Sequence, residues 1–141
     1  MVSWRICFGL FDFPNLIVLG MAWSLIRTKY RIVILSNGEE WYLKQLVKNN
    51  IGIDFNEMLC AEMVGQFKPH PSVYRFAANR LELEPAQIMM VASHSFDILG
   101  ARHSGFRGAY VNRYGLPYEE SEFRPDITVN DFDQLCEKLG V

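Results

Sequence analysis

Three short segments place polar, anion-handling side chains where apolar runs end. Ser36-Asn37-Gly38 follows Arg31-Ile-Val-Ile-Leu35. Lys68 sits within Phe67-Lys68-Pro69-His70-Pro71. His94 and Asp97 follow Ile88-Met-Met-Val-Ala92. A hydroxyl, an amide and helix-terminal N–H groups at Ser36 to Gly38 make a cradle for an oxyanion or phosphate. The same residues also serve as an ordinary helix cap with a turn glycine. Pro69 and Pro71 stiffen the backbone around Lys68. Its ammonium can neutralise a carboxylate or phosphate as a compact point charge, or stand solvated in a loop. Asp97 can pair with Lys68 and hold it, or be a first-turn aspartate favoured by the helix dipole. His94 with Asp97 does not make a metal site, because magnesium wants an octahedral set of oxygens. Tyr74, six residues after Lys68, faces the same cleft or the core. Arg102 reads as an ordinary helix residue. No Asp-x-Asp or Asp-x-x-Gly-Thr segment precedes Ser36, so these read as supporting residues without a nucleophile.

The elements that must position them alternate. Leu16 to Thr28 reads as a helix with Asn15 as its cap behind Pro14, and Arg31 to Leu35 as a strand covered on both faces. Helix is expected from Glu39 to Asn49, strand from Met58 to Ala61, and helix from Pro71 to Leu81, with proline in the first turn. Strand follows at Ile88 to Ala92, helix at Phe96 to Ser104, and strands at Ala109 to Val111 and Ile127 to Val129. A closing helix runs from Phe132 to Leu139, capped by Asn130 or Asp131. Arg113 to Pro125 is a loop. Such alternation implies a mostly parallel sheet with right-handed crossovers. Ligands then bind beyond the carboxyl ends of the strands, where all three segments fall.

The chain has 141 residues, half of them hydrophobic, and a net charge of -2. One domain is expected, with no basic footprint for nucleic acid. Cys7, Cys60 and Cys136 show no metal-ligand spacing, which fits reduced thiols in the cytoplasm. The apolar stretch Leu16 to Ile26 is too short to span a bilayer and reads as a buried helix, so no membrane partner is expected.

Taken together, the segments resemble the haloacid dehalogenase-like hydrolase superfamily, and within it the type II L-2-haloacid dehalogenases. ILSNG resembles that family's second motif, VGQFKPHPSVYRFAANRLEL its lysine motif and following helix, and IMMVASHSFDILGARHSGFRGAYVNR its fourth motif and the next strand. The resemblance runs from about Pro14 to the C-terminus. It implies a three-layer, Rossmann-like α/β fold, a parallel sheet with helices on both faces. It also implies hydrolytic dehalogenation of a 2-haloacid. An aspartate attacks the halogen-bearing carbon, halide leaves with inversion, and water hydrolyses the ester. Carried over by position, Lys68 and Asp97 are the catalytic pair, with Asp97 orienting Lys68 and preparing the water. Ser36, Asn37, Tyr74 and His94 belong to the substrate site. The resemblance implies no cofactor. The partner implied is a small anionic substrate, with a homodimer left open.

Two departures narrow this. Ala92-Ser93-His94 stands where these dehalogenases typically carry Ser-Ser-Asn, which blurs the substrate. Residues 14–141 match the core, while 1–13 reads as a remnant of cap and linker or as a substitute strand. Asp12 reads as a linker residue, since no Gly-Thr turn follows it. The nucleophile strand and most of the cap are therefore expected to be missing, and the chain to be a truncated form with little or no activity. In this fold the missing strand is central, so either Val2 to Phe8 fills its place, a partner does, or two edges stay unpaired. The rivals are a magnesium-dependent phosphatase of the same superfamily and a non-catalytic anion-binding remnant.

Overall fold

The computed structural model describes residues 5–8, 16–51, 55 and 57–141. Six strands form one sheet: β1 (Arg5–Phe8), β2 (Arg31–Ser36), β3 (Glu57–Cys60), β4 (Ile88–Ala92), β5 (Arg107–Val111) and β6 (Ile127–Val129). Their order is β3-β2-β1-β4-β5-β6, and every pairing is parallel. The helices are α1 (Leu16–Arg27), α2 (Glu40–Leu46), α3 (Pro71–Leu81), α4 (Ser95–His103) and α5 (Phe132–Leu139). This is the parallel α/β architecture expected from the alternating pattern. No described helix is long and apolar enough to cross a membrane.

Beyond their charged first residues, β2 and β5 are buried, as expected where both faces of a sheet are covered. Ile32, Ile34, Val91, Ala109 and Val111 pack with Ala22, Trp23 and Ile26 of α1 and with Phe132 and Leu135 of α5. The alternate positions Val33, Leu35, Ile88, Met90 and Ala92 pack with Val73, Tyr74 and Ala77 of α3 and with Ile98 and Ala101 of α4. The period of two along each strand thus sorts side chains into two helical layers.

The centre of the sheet belongs to β1. Phe8 pairs with Ile34 of β2 on one side and Val91 of β4 on the other. β2 and β4 therefore present no free edge along this register. Other differences are small. β5 starts at Arg107 rather than Ala109, because Gly108 is accommodated inside the strand. α4 starts at Ser95, one residue earlier than the pattern predicts. Asp12 and the Asn15 cap lie outside the described residues.

α3 opens as its sequence dictates. Pro71 takes the first helical position, and the His70 ring accepts a hydrogen bond from the Ser72 N–H at 3.2 Å. α5 is capped by Asp131, which accepts from the Gln134 N–H at 2.8 Å, so of the two cap residues proposed it is the second that serves.

Candidate active site

The loop carrying Lys68 is docked onto the end of β2 by one side chain. Asn37 Oδ1 accepts from the Lys68 N–H at 2.7 Å, and Asn37 Nδ2 donates to the Lys68 carbonyl at 3.3 Å. Both ends of the amide are spent on the lysine's own backbone. The next peptide bond, Lys68–Pro69, is cis. The Lys68 side chain then runs inward and is only 4% exposed.

Its ammonium meets two acceptors. Nζ donates to the Leu35 carbonyl at 2.9 Å and to Asp97 Oδ2 at 2.5 Å. Leu35 belongs to β2 and Asp97 to the first turn of α4, so one cation ties two elements at the carboxyl side of the sheet. An ammonium has three N–H donors, and two of them are accounted for by these bonds. The other Asp97 oxygen, Oδ1, accepts from Tyr74 Oη at 2.8 Å. Tyr74 Oη also lies 3.2 Å from the Asp97 carbonyl. A buried charge pair is tolerable only when its remaining polar valences are met, and Tyr74 meets one of them. Burial, with the Asp97 carboxylate beside it, holds the Tyr74 phenol far above its ordinary pKa. It stays a neutral donor.

Ser36 is fully buried, and its Oγ accepts from the Gly38 N–H at 3.0 Å. His94 is the N-cap residue of α4, and its side chain makes no cap hydrogen bond. The His94 ring packs 5.6 Å from Phe96 and 6.1 Å from Tyr114. The site thus combines an ammonium and a helix N-terminus, both favourable to an anion.

Lys68, Asp97, Tyr74 and Asn37 are brought into one bonded network. Tyr74 stands behind Asp97, fully buried, and Asn37 seats the lysine. Ser36 closes the same strand as Leu35. His94 lies in the β4–α4 turn with aromatic neighbours. One participant escapes sequence reasoning: the Leu35 carbonyl carries no side-chain signal at all. Nearby, Ser93 is 6% exposed, and its hydroxyl finds no hydrogen-bond partner among the described residues. In a sequence, such a serine looks like any turn residue.

The model of the haloacid dehalogenase-like hydrolase family matches residues 23–111, more than half of the chain and all of this network. The chain belongs to that family. Within it, the chain falls in the L-2-haloacid dehalogenase branch. It is 35% identical over 111 residues to (S)-2-haloacid dehalogenase 2 of Pseudomonas sp. (strain CBS-3), covering 77% of this chain and 48% of the relative. It is 28% identical over 130 residues to haloacetate dehalogenase H-2 of Moraxella sp. (strain B), covering 92% and 57%. The solved L-2-haloacid dehalogenase of Xanthobacter autotrophicus superposes with a TM-score of 0.75 at 26% identity, over 85% of this chain and 58% of that one. The chain spans about half the length of the curated relatives it matches. The residues matched by the family model include the whole Lys68 network.

Proposed function

We propose that this chain carries the anion-binding part of a 2-haloacid dehalogenase site, and that its own carbon–halide hydrolysis is weak or absent. The observation that supports this best is the buried Lys68–Asp97 pair, with Lys68 also held by the Leu35 carbonyl. It fixes a positive charge at the sheet's carboxyl side, where a carboxylate substrate and an attacking aspartate both need one. In this reading Lys68 steadies negative charge, Asp97 orients Lys68 and prepares the hydrolytic water, and Tyr74 positions Asp97. Ser36 and His94 face the ligand, and Asn37 acts by seating Lys68.

The parent reaction needs a carboxylate nucleophile. β1 is Arg5-Ile6-Cys7-Phe8 and carries none. That is the physical reason for expecting poor turnover. Asp12 is the nearest aspartate after β1. Magnesium, which the phosphatase alternative requires, does not fit the network. Asp97 gives one oxygen to an ammonium and the other to a phenol, and a hard cation needs several such oxygens free.

The test is halide release from L-2-chloropropionate, run beside a calorimetric titration of the same compound. Binding with little or no halide release is expected. Halide release that Asp12→Asn abolishes would overturn the expectation of weak turnover. Absence of any binding would remove the anion-site reading itself.

A further inference from the structure

The charge pair leaves little net attraction for a ligand. Lys68 Nζ lies 2.5 Å from Asp97 Oδ2, so the carboxylate takes up much of the cation's field. The charges standing around the pair therefore weigh on which anions the site accepts. One further carboxylate stands at the same helix. Ser95 opens α4, and its Oγ donates to Glu119 Oε1 at 3.2 Å. Asp97 lies two residues beyond Ser95, so both carboxylates belong to the first turn. A helix N-terminus favours negative charge, which accounts for Glu119 settling there.

Glu119 is held in place by its own loop, the one between β5 and β6. Tyr118, the residue before it, donates through Oη to the Phe123 carbonyl at 2.7 Å, and its ring packs 5.4 Å from Tyr110 of β5. Asn112 Oδ1 accepts from the Leu116 N–H at 2.9 Å. Arg102 of α4 donates through Nε to the Arg124 carbonyl at 2.9 Å. The loop is thus fastened on both sides of Glu119. Among the described residues no ion pair neutralises Glu119, and Glu120 and Glu122 carry the same sign.

We infer that Glu119 is a specificity-determining residue of this site, whose charge admits a monocarboxylate and turns away a dianion such as phosphate. This rests on the anion-site reading above and narrows its ligand class. Coulomb repulsion is proportional to the ligand's charge. A unit charge about 10 Å from a monoanion in water changes its affinity about twofold. For a dianion at the same place the factor is squared, to about fourfold. A lone lysine would favour the dianion, and Glu119 works against that preference.

Glu119→Gln keeps an acceptor for Ser95 Oγ and removes the charge. Calorimetry compares wild type and variant with L-2-chloropropionate and with inorganic phosphate, at a pH where phosphate is a dianion. Salt is set at about 10 mM, where charges are felt over about 30 Å, and at about 1 M, where they are felt over about 3 Å. At low salt the variant should bind chloropropionate about twofold tighter and phosphate about fourfold tighter. Both gains should vanish at high salt. Glu120→Gln, which removes the neighbouring charge and leaves the Ser95 contact, should gain less. Equal gains for the two ligands, no gain, a gain that survives high salt, or the same gain in Glu120→Gln overturns the inference and leaves the anion site standing. Phosphate bound by neither protein while both bind chloropropionate overturns it too, since the exclusion then has another cause. Chloropropionate bound by neither protein removes the anion-site reading and this inference together.

Discussion

At the scale of single residues, the site is a buried charge pair in which both Asp97 oxygens and two of the three Lys68 donors are bonded. Removing one member leaves the other buried and uncompensated, which costs about 3–5 kcal/mol. Lys68→Ala should therefore lower the denaturant midpoint sharply. The double variant Lys68→Met/Asp97→Asn should recover much of that loss, because it removes both charges and keeps an acceptor for Tyr74. Chemical denaturation of the three proteins checks this. Tyr74 gives a pH signature of its own. Its folded pKa lies above the ordinary 10.0, so the folded phenol keeps its proton more tightly than the unfolded one. Below pH 10 both states hold the proton and the stabilisation is complete. Above it only the unfolded chain gives the proton up, so stability falls as pH rises. Tyr74→Phe should be less stable at neutral pH by about 1.5–3 kcal/mol, since Asp97 loses a donor. It should also show a shallower alkaline decline in melting temperature than wild type. The Lys68–Asp97 partnership was legible in sequence because charge type and strand-end position both pointed to it. The role of Leu35 was not, because a carbonyl has no side-chain identity.

At the scale of elements, the pair depends on how closely α4 approaches α3. Gly100 makes that approach possible. A Cβ there would meet Tyr74 Oη at 2.7 Å and Pro69 Cβ at 2.8 Å. These belong to the residue that braces Asp97 and the one that follows Lys68. Gly100→Ala should destabilise the protein by about 1–3 kcal/mol, although alanine is the better helix former by about 1 kcal/mol. Thermal melting checks the sign, and an increase in stability would show that the α3–α4 contact can relax. In the sequence, the small residues Gly100 and Ala101 on this helix signal close packing. What they pack against is not signalled, since that is set by the crossover geometry of two non-adjacent segments. Element boundaries shifted for equally local reasons. A glycine in β5 reads as a break in the sequence, yet at Gly108 a Cβ would lie 2.8 Å from Ile98 Cγ2. The strand uses that glycine to let α4 lie close.

At the scale of the whole molecule, the sheet is organised around its least conspicuous strand. Arg5-Ile-Cys-Phe8 is four residues long with one β-branched member, too little pattern to separate a strand from a linker. The topology, not the local sequence, gives it a central place. Pairing on both sides predicts that β1 amides are among the slowest to exchange with solvent, alongside those of β2 and β4. Cys7→Pro should abolish cooperative unfolding, because proline removes a ladder donor in a central strand. Hydrogen exchange and circular dichroism check these two outcomes. Fast exchange in β1 would mean that the sheet's centre is not held as the pairing implies.

The placement of β1 also sets an order of events. Arg5 pairs with Arg31 on one side, but with Ile88 on the other, 83 residues further along the chain. On a ribosome β1 emerges before both of its neighbours and acquires the second, β4, long after the first. Contacts between such distant segments slow folding. The nascent chain therefore carries an open seam beside β1 until β4 is made, and that interval is when it most needs protection from pairing with the wrong edge.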